Sequence, residues 1–555
     1  MASRSSKLKI FSLGGLNEIG KNITVFEYGN DILVVDCGLG FPDDEMYGID
    51  IVIPDFTFLE KNADRIRGIV LTHGHEDHIG AVPYLMKLIS APIYATKLTA
   101  ALLNLKLEEH KIADSTEVHI IEAGEHFKVG VFDIEPIHVN HSIADTVALA
   151  IKTPIGMVIH TADFKVDITP IHGVMIDLAR FGKLGKDGVL CMLADSTNVE
   201  KPGYSISESK VGARFDQLFK DCNKRIIVTT FASNIHRIQQ IINVAAKNGR
   251  KVAITGRSME NVMKVSLELG YMKIPDGVLM DINKITNLPK NQIVIITTGS
   301  QGENMSALYR MAFSGHRQVE IGDSDLVIIS ASAIPGNERT ISRVIDELFR
   351  KGAEVIYDRL SNLHVSGHAC QDELKMMLAL IKPRFFIPVH GEHRHLKMHA
   401  NLAQEVGVPS KNTIVSETGR VLEITRKSAK FNGTVPSGRV LVDGAGVGDV
   451  GTVVLRDRRH LAQDGMVVVV MTLSGEDASL ISGPDIITRG FVFVKESEEL
   501  IEDLKRVVNE SLDCCTDNKI TDWATIKSKV RTNLSGYLYK TTKRSPMILP
   551  VIMEV

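Results

Sequence analysis

The 555-residue sequence predicts an α/β protein: a sheet-rich sandwich interrupted by a second α/β domain and followed by a small third one. Three observations support this fold class. Short β-branched stretches separated by glycine-rich turns fill residues 8–200. From Ser205 to residue 357, strands alternate with helices, as in a parallel sheet with both faces covered. Histidine-bearing strands and loops return at 358–425, so the second domain is inserted into the first.

The first part of the sandwich is predicted to span residues 1–204. Its only clear helix is expected near 79–89. Strands are expected at 8–10, 24–26, 32–36, 69–71, 93–94, 131–136, 147–152, 157–160 and 189–194.

The inserted domain is predicted at 205–357 and the second part of the sandwich at 358–425. The insert has strands at 225–231, 251–254, 292–298, 326–330 and 353–357, and helices near 206–221, 235–248, 257–269, 303–313 and 337–351. Residues 426–455 are expected to be a linker. A small α/β domain follows at 456–555, with strands at 466–473, 490–495 and 547–553 and helices near 496–513 and 521–537.

The composition is typical of a soluble globular protein, with 44% hydrophobic and 24% charged residues. No apolar run approaches the ~20 residues of a membrane span, and the polar N-terminus does not resemble a signal peptide. The six cysteines form no C-x-x-C pair, which indicates reduced thiols and a cytoplasmic location. With a net charge of −3, a polyanionic partner would have to be bound by a local patch.

The sequence Thr-His-Gly-His-Glu-Asp-His at residues 72–78 follows the apolar run 68–71. It is therefore expected in the loop at the carboxyl end of a buried strand, where α/β folds place their sites. Imidazoles and a carboxylate on one loop suit a borderline ion such as zinc. A solvated histidine-rich loop is the other interpretation. The potential ligands are His73, His75, Asp77 and His78.

Further ligand candidates follow three later strands, namely His141, Asp163 and His390. A single histidine or aspartate in such a place is more often structural. Downstream of a four-ligand loop, however, they predict a second metal site. A carboxylate can bridge two cations whereas an imidazole cannot, so Asp163 is the natural bridge.

This pattern, H-x-H-x-D-H followed by a histidine and an aspartate, resembles the metallo-β-lactamase superfamily. The resemblance implies an αββα sandwich and two zinc ions with Asp163 and a hydroxide between them. It implies one zinc on His73, His75 and His141, and the other on Asp77, His78 and His390. Asp36 matches an early aspartate that orients ligands in that superfamily. A buried turn cap is an equally good interpretation of Asp36.

A core of this kind interrupted by an α/β domain resembles the β-CASP branch, which hydrolyses phosphodiesters in RNA or DNA. Asp195, His368 and His390 match the additional motifs of that branch. His368 is the expected general acid, because an imidazole with a pKa near ~6.5 can donate a proton at neutral pH. Asp195 is expected to hold its tautomer; a loop cap through Ser196 and Thr197 is the other interpretation.

Over essentially the whole chain, the sequence resembles the bacterial ribonuclease J family. The matching stretches include residues 14–22, 47–55, 298–303 and 334–338. The resemblance implies a cytoplasmic homodimer or tetramer acting in mRNA decay and rRNA maturation. Family members degrade RNA 5′ to 3′ from a monophosphorylated end and also cut internally. Their partners include RNA, a paralogous subunit and other RNA-decay proteins.

Two alternatives to a ribonuclease stay open at this point. The first is a DNA-processing nuclease of the same branch. The second is an inactive RNA-binding subunit of a ribonuclease complex, and the intact set of ligands argues against it.

Two loops that follow strands are expected to bind phosphate through backbone N–H groups, although each alone is equally an ordinary βα turn. By resemblance, residues 233–235 and 364–368 are the stronger RNA contacts. The candidate substrate-binding residues are Ser233, Asn234, Ile235, Ser300, Gln301, His364, Val365, Ser366, Gly367 and His368.

Asp50 and Asp443 are expected to share a further hard cation, Ca²⁺ or Mg²⁺, as some relatives suggest. Two surface aspartates near glycine turns are the other interpretation of this pair.

Overall fold

The computed structural model describes residues 7–171, 174–220, 222–285, 287–303, 306–333, 337–357, 363–492 and 498–555. The chain divides into two compact units. Unit 1 comprises Met1–Phe41 and Ile51–Val440, and unit 2 comprises Pro42–Asp50 and Leu441–Val555. Within these described ranges, no helix is long and apolar enough to cross a membrane.

Most of the strands lie in unit 1. They are β1 (Leu8–Gly14), β2 (Ile23–Tyr28), β3 (Asp31–Val35), β4 (Ile51–Pro54), β5 (Ile66–Val70), β6 (Ile93–Ala95), β7 (Val118–Ile120), β8 (Phe127–Val129), β9 (Phe132–His138), β10 (Val147–Thr153), β11 (Gly156–His160), β12 (Val189–Asp195), β13 (Arg225–Thr229), β14 (Lys251–Thr255), β15 (Ile293–Thr297), β16 (Asp325–Ile329), β17 (Glu354–Ile356), β18 (Phe385–Val389), β19 (Arg420–Ile424) and β20 (Ala429–Thr434).

The helices of unit 1 are α1 (Thr57–Lys61), α2 (Glu76–Ile79), α3 (Val82–Met86), α4 (Lys97–Glu109), α5 (Leu178–Asp187), α6 (Ser209–Lys220), α7 (Ile235–Lys247), α8 (Arg257–Glu268), α9 (Ile282–Ile285), α10 (Ala307–Ala312), α11 (Glu338–Arg350), α12 (Gln371–Ile381) and α13 (His393–Glu405).

Two sheets of unit 1 pack face to face. The eight-stranded sheet has the order β20-β19-β1-β2-β3-β5-β6-β7, and the six-stranded sheet has the order β18-β12-β11-β10-β9-β8. Their facing sides share one apolar core, in which Phe26 and Leu33 of the first sheet join Leu149 of the second. The outer face of the second sheet is covered by α5, α12 and α13. The predicted sandwich is confirmed.

The second domain is inserted at the edge of the six-stranded sheet. β12 and β18 are parallel neighbours, with Asp195 opposite Val389, although a whole domain lies between them in the sequence. That domain is a parallel five-stranded sheet with the order β14-β15-β13-β16-β17. β13, β15 and β16 are buried along their whole length, as expected for isoleucine- and valine-rich strands covered on both faces.

Several elements differ from those predicted. The helix expected near 79–89 is two short helices, α2 and α3, and Pro83 stands at the start of the second. α4 and α5 were not predicted. The segment expected to be a linker at 426–455 forms β20, which pairs with β19, and further strands and a helix begin within it. The predicted domain bounds remain predictions.

Unit 2 contains β21 (Arg439–Asp443, which begins in unit 1), β22 (Gly446–Val447), β23 (Met466–Leu473), β24 (Leu480–Arg489) and β25 (Met547–Glu554), with α14 (Thr452–Asp464), α15 (Glu498–Asp517) and α16 (Trp523–Thr542).

The core of unit 2 lies between one sheet and two helices. The sheet has the order β24-β23-β25. Buried and half-buried residues alternate along β23, and the buried ones pack against α15 and α16. The strand predicted at 490–495 begins where β24 has ended: residues 490–492 are not in a strand, and β24, which pairs with β23, was not predicted. Residues 493–497 lie outside the described residues.

Candidate metal centre

The potential ligands lie at one edge of the sandwich because they follow the carboxyl ends of neighbouring strands. His141 and Asp163 come after β9 and β11, which run in the same direction on either side of the antiparallel β10. His390 comes directly after β18, and Asp195 ends β12. The loop 72–78 follows β5 of the facing sheet. The structure thus brings together all seven predicted ligands in two groups. Within each group, the potential ligand atoms lie within 4.8 Å of one another.

The first group consists of His73, His75 and His141. Nδ1 of His75 lies 3.1 Å from Nε2 of His73 and 3.1 Å from Nε2 of His141. The distal nitrogens are engaged elsewhere: Nδ1 of His141 donates to the Gly367 carbonyl at 2.7 Å, and Nδ1 of His73 lies 3.0 Å from Oγ1 of Thr72. This leaves three converging ring nitrogens, a donor set that fits zinc.

The second group consists of Asp77, His78, Asp163 and His390. Nε2 of His78 lies 3.3 Å from Oδ2 of Asp163, and Nε2 of His390 lies 3.2 Å from Oδ2 of Asp77. The same Asp163 oxygen lies 3.7 Å from Nε2 of His73 and 3.8 Å from Nε2 of His141. One carboxylate oxygen therefore faces both groups, as a bridging ligand must.

Asp36 orients ligands from behind the centre. Its Oδ2 accepts a hydrogen bond from Nδ1 of His78 at 2.8 Å, and its Oδ1 accepts one from the Thr72 N–H at 2.8 Å. Both interpretations of Asp36 therefore apply, since it caps the ligand loop and also fixes one imidazole. Asn22, which the sequence did not single out, donates to the Asp77 carboxylate at 3.3 Å.

The two groups differ in electrostatics. Burial lowers the pKa of His75 to about 4 and holds the pKa values of His73 and His141 well below their usual range. Burial also disfavours charge on His78 and His390, but the neighbouring carboxylates, Asp163 first among them, together outweigh it, so the pKa values of both rings are raised well above the ordinary value. The first group thus offers neutral ring nitrogens, while the carboxylates of the second group favour positive charge, which a bound cation would supply in place of the ring protons.

His368 lies beside the second group. Its Nδ1 lies 2.8 Å from Oδ2 of Asp195 and 3.9 Å from Oδ2 of Asp163, and its ring stacks on that of His390 with centroids 5.5 Å apart. Burial lowers the pKa of His368, but Asp195 and then Asp163 outweigh this effect, so the pKa is raised. The other Asp195 oxygen accepts hydrogen bonds from the N–H and hydroxyl of Thr197. Asp195 is therefore both a loop cap and the partner of His368.

The candidate RNA segment 364–368 lies against this centre. Ser366 Oγ accepts a hydrogen bond from Nδ2 of Asn198 at 2.7 Å, and the Gly367 carbonyl accepts the bond from His141. Nη1 of Arg237 donates to Nδ1 of His364 at 3.2 Å. Val365 is buried, so the side chains of this segment that remain accessible are those of His364, Ser366 and His368.

The candidate loops of the inserted domain are more enclosed than the sequence suggested. Ile235 is fully buried, and the Asn234 side chain caps α7 by accepting from the Arg237 N–H at 3.0 Å. Gln301 and Ser300 are also buried, and Nε2 of Gln301 donates to the Ser332 carbonyl. In these two loops Ser233 is the candidate with an accessible side chain.

Arg237 is a residue that the sequence did not identify. Its guanidinium is fully buried, makes two hydrogen bonds to Glu208 at 2.7 and 2.9 Å, and donates to the Ser330 carbonyl. Glu208 and His364 lie 29 and 127 residues away in the sequence. No local pattern could have predicted this pairing.

The further cation site expected at Asp50 and Asp443 stays a prediction. Asp443 is ion-paired with Arg458 at 2.5 Å, and Asp50 accepts a hydrogen bond from the Gly444 N–H at 2.8 Å. The positive charge beside Asp443 is therefore already supplied by a guanidinium. Among the described residues, neither aspartate belongs to a group of three potential metal ligands.

Comparisons with known proteins match four successive parts of the chain. Family models match residues 16–164 (Metallo-beta-lactamase superfamily), 223–348 (Ribonuclease J, beta-CASP domain), 352–415 (Zn-dependent metallo-hydrolase RNA specificity domain) and 453–555 (Ribonuclease J C-terminal domain). Ribonuclease J2 of Bacillus subtilis is 44% identical over 99% of both chains. The chain belongs to the ribonuclease J family.

Other ribonuclease J relatives match at similar levels. Ribonuclease J of Thermus thermophilus is 43% identical over 99% of this chain and 95% of its own, and ribonuclease J 1 of Streptococcus pyogenes is 42% identical over 99% and 98%. A crystal structure of a protein of unknown function from Enterococcus faecalis superposes with a TM-score of 0.53 at 17% identity, covering 75% of this chain and all of that one. That likeness shows the fold alone.

Proposed function

We propose that this ribonuclease J family member hydrolyses phosphodiester bonds of RNA, using two zinc ions held at the edge of the sandwich. The observation that carries the proposal is a single Asp163 oxygen that faces both ligand groups, with the His368–Asp195 pair directly beside it. A paired-metal site next to a proton donor suits phosphodiester hydrolysis.

The residues present fit such a pair of ions. His73, His75 and His141 would hold one ion, Asp77, His78 and His390 the other, and Asp163 both. Bound there, the pair would polarise the phosphodiester and make hydroxide available near neutral pH. Asp36, Thr72 and Asn22 keep the ligand atoms aimed at the centre.

His368 supplies the proton for the leaving oxygen in this proposal. Because Asp195 accepts from Nδ1–H, the proton is donated from Nε2, and the ring returns to the neutral Nδ1–H tautomer. Because the pKa of His368 is raised, a larger fraction of its rings is protonated at neutral pH than for an ordinary histidine.

We infer that the RNA is held by the segment 364–368 and the loop at Ser233. Arg237 can only donate, so Nδ1 of His364 accepts and its Nε2–H is the free donor. Burial, followed by Arg237, keeps the pKa of His364 well below its ordinary value, so this donor is uncharged. With the Ser366 hydroxyl, it suits a phosphate oxygen next to the scissile bond.

The family supports finer assignments, which we propose together. The protein degrades RNA 5′ to 3′ from a 5′-monophosphate and also cuts internally, and it acts in mRNA decay and rRNA maturation. It functions in the cytoplasm as a homodimer or tetramer, with a paralogous subunit and other RNA-decay proteins as partners.

The deciding experiment uses one RNA sequence in three forms: 5′-monophosphate, 5′-triphosphate and circular. Labelled at the 5′ phosphorus, the monophosphate form should release a labelled mononucleotide. The triphosphate form should be resistant at its end, and the circle should be opened only by internal cleavage. A chelator should stop all of these reactions. Equal turnover of single-stranded DNA would favour a DNA-processing nuclease, and RNA binding without cleavage would favour an inactive subunit.

A further inference from the structure

Glu373 is a fully buried carboxylate that the proposed mechanism does not use. It is the third residue of α12, and its two oxygens accept hydrogen bonds from uncharged donors. These donors are the N–H of Val166 (2.7 Å), the N–H and hydroxyl of Ser205 (2.7 Å each) and the N–H of Cys370 (2.8 Å). A buried carboxylate is costly unless it is satisfied in this way, so the arrangement constrains the backbone around it.

The three donor residues belong to three segments at the junction of the sandwich with the inserted domain. Val166 follows the metal-ligand candidate Asp163 by three residues. Ser205 lies where the chain leaves the sandwich, and Cys370 follows His368 by two residues where the chain returns. The same junction is supported by backbone bonds from Gln371 N to Lys201 O and from Asp372 N to Gly203 O.

We propose that Glu373 is a positioning residue for His368. It fixes the returning segment against the segment of Asp163, so that Nδ1 of His368 stays 2.8 Å from Oδ2 of Asp195 and beside the ligand groups. This inference rests on the proposed ribonuclease activity. Displacing a catalytic group by about 1 Å can cost roughly 100-fold in rate.

A simple helix cap does not explain all of the contacts. Glu373 does cap α12, because its Oε2 accepts from the N–H of Cys370, the residue that precedes the helix. The bonds of Oε1 to Val166 and to the Ser205 hydroxyl lie outside the helix. Capping alone would require neither of them.

The test begins with Glu373→Gln, which keeps the shape of the side chain but replaces one accepting oxygen by an amide nitrogen that cannot accept. We expect kcat for RNA cleavage to fall roughly 10- to 100-fold, with KM and the metal content per chain unchanged. Glu135→Gln is the matched control, a buried carboxylate of β9 bonded to Arg180, and should keep the wild-type kcat.

A double-mutant cycle separates positioning from general damage. If Glu373 acts through His368, Glu373→Gln should add no further loss of rate to the His368→Ala enzyme in single-turnover assays. The same fold loss in both backgrounds, or loss of metal from Glu373→Gln, would overturn the proposal.

Wild-type cleavage in these assays reports separately on the proposed function. If the wild-type enzyme is inactive, amide exchange still tests Glu373. The amides of Val166 and Cys370 should exchange faster in Glu373→Gln than in the wild-type protein. Equal exchange rates would contradict the inference.

Discussion

At the scale of single residues, two aspartates at strand ends each bind both a loop and an imidazole ring. One oxygen of each carboxylate accepts a hydrogen bond from a loop N–H group: Asp36 accepts from Thr72, and Asp195 accepts from Thr197. The other oxygen accepts from Nδ1 of His78 or His368. The position of each ring is therefore set by the same carboxylate that sets the loop.

The first prediction concerns His368. His368→Ala should retain the wild-type metal content, because the ring is not needed in either ligand group, yet lose roughly 100- to 10,000-fold in kcat as expected for a general acid. Metal content by mass spectrometry of the native protein and single-turnover RNA cleavage check this. His126→Ala, at an exposed histidine paired with Asp133, is the control and should be fully active. Full activity of His368→Ala would remove it as the acid.

The second prediction concerns pH and His399, which is fully buried against Phe386 with Nδ1 3.0 Å from Oγ of Ser196. Burial lowers the pKa of His399 to about 3, whereas in the unfolded chain it is about 6.5. The unfolded state therefore binds the extra proton between these values. The contribution of the neutral His399 ring to the free energy of unfolding is complete above pH 6.5. It decreases as pH falls, by up to about 1.4 kcal/mol per pH unit.

The variant His399→Leu should lose this acid sensitivity. Denaturant titrations between pH 7.5 and 4.5 give the free energy of unfolding of both proteins. Below about pH 6.5 this free energy should decrease more steeply with falling pH for the wild type than for the variant. A difference that is constant across this range would contradict the assignment. Comparing the two proteins at each pH cancels the titration of groups that they share.

The candidate ligands could be found in the sequence because each is in a short motif directly after an apolar strand. Local pattern singled out His73, His141 and Asp163 as candidates, and their grouping around two metal ions came from the resemblance to the metallo-β-lactamase superfamily. The roles of Thr72, Asn22 and Glu373 could not be predicted, because their hydrogen-bond partners are far away in the sequence. Burial also decided which candidates remain accessible, as the enclosed Ile235 and Gln301 illustrate.

At the scale of elements, the strands were predicted most reliably, because β-branched runs bounded by glycine identify them. Errors arose where helical and strand signals compete. The leucine-rich segment of α4 was not predicted to be a helix, and β24 was not predicted to be a strand. Neither error affects the centre, whose ligands follow correctly predicted strands.

The third prediction concerns the close packing of the β3 loop on α2. An added Cβ at Gly38 would lie 1.6 Å from the Asp77 carbonyl oxygen and 2.0 Å from its carbon, both of them backbone atoms. Gly38→Ala should therefore push Asp77 and His78 out of place, with at least a tenfold loss in metal affinity, as expected when groups that orient ligands are disturbed.

Gly322→Ala is the control for this change, because an added Cβ there has no neighbour within 4 Å. Metal titration of the two variants makes the comparison. Wild-type metal affinity in Gly38→Ala would show that the loop can move away without cost to the centre.

At the scale of the whole molecule, the ligand groups lie entirely in unit 1, and unit 2 has its own apolar core. A ligand that binds only the folded state stabilises it, by about 4 kcal/mol at 1,000 times its dissociation constant. The consequences of metal removal should therefore differ between the two units.

The fourth prediction follows from that difference. Chelation should abolish RNA cleavage and increase amide exchange in the loops at 72–78, 139–142, 161–165 and 390–392. Exchange in β23, α15 and α16 should stay unchanged. Zinc should restore both activity and protection. Equal changes in both units, or none, would contradict the location of the metal centre.

The pairing of β12 with β18 also bears on how the protein is made. β12 has been synthesised by residue 195, but its neighbour and the ligand His390 come only after the whole inserted domain. A growing polypeptide shorter than 390 residues has neither a closed second ligand group nor a sheet edge to support it. The enzyme degrades RNA and is itself translated from RNA. Its catalytic centre therefore stays incomplete while the ribosome reads the part of its messenger that precedes the codon for His390.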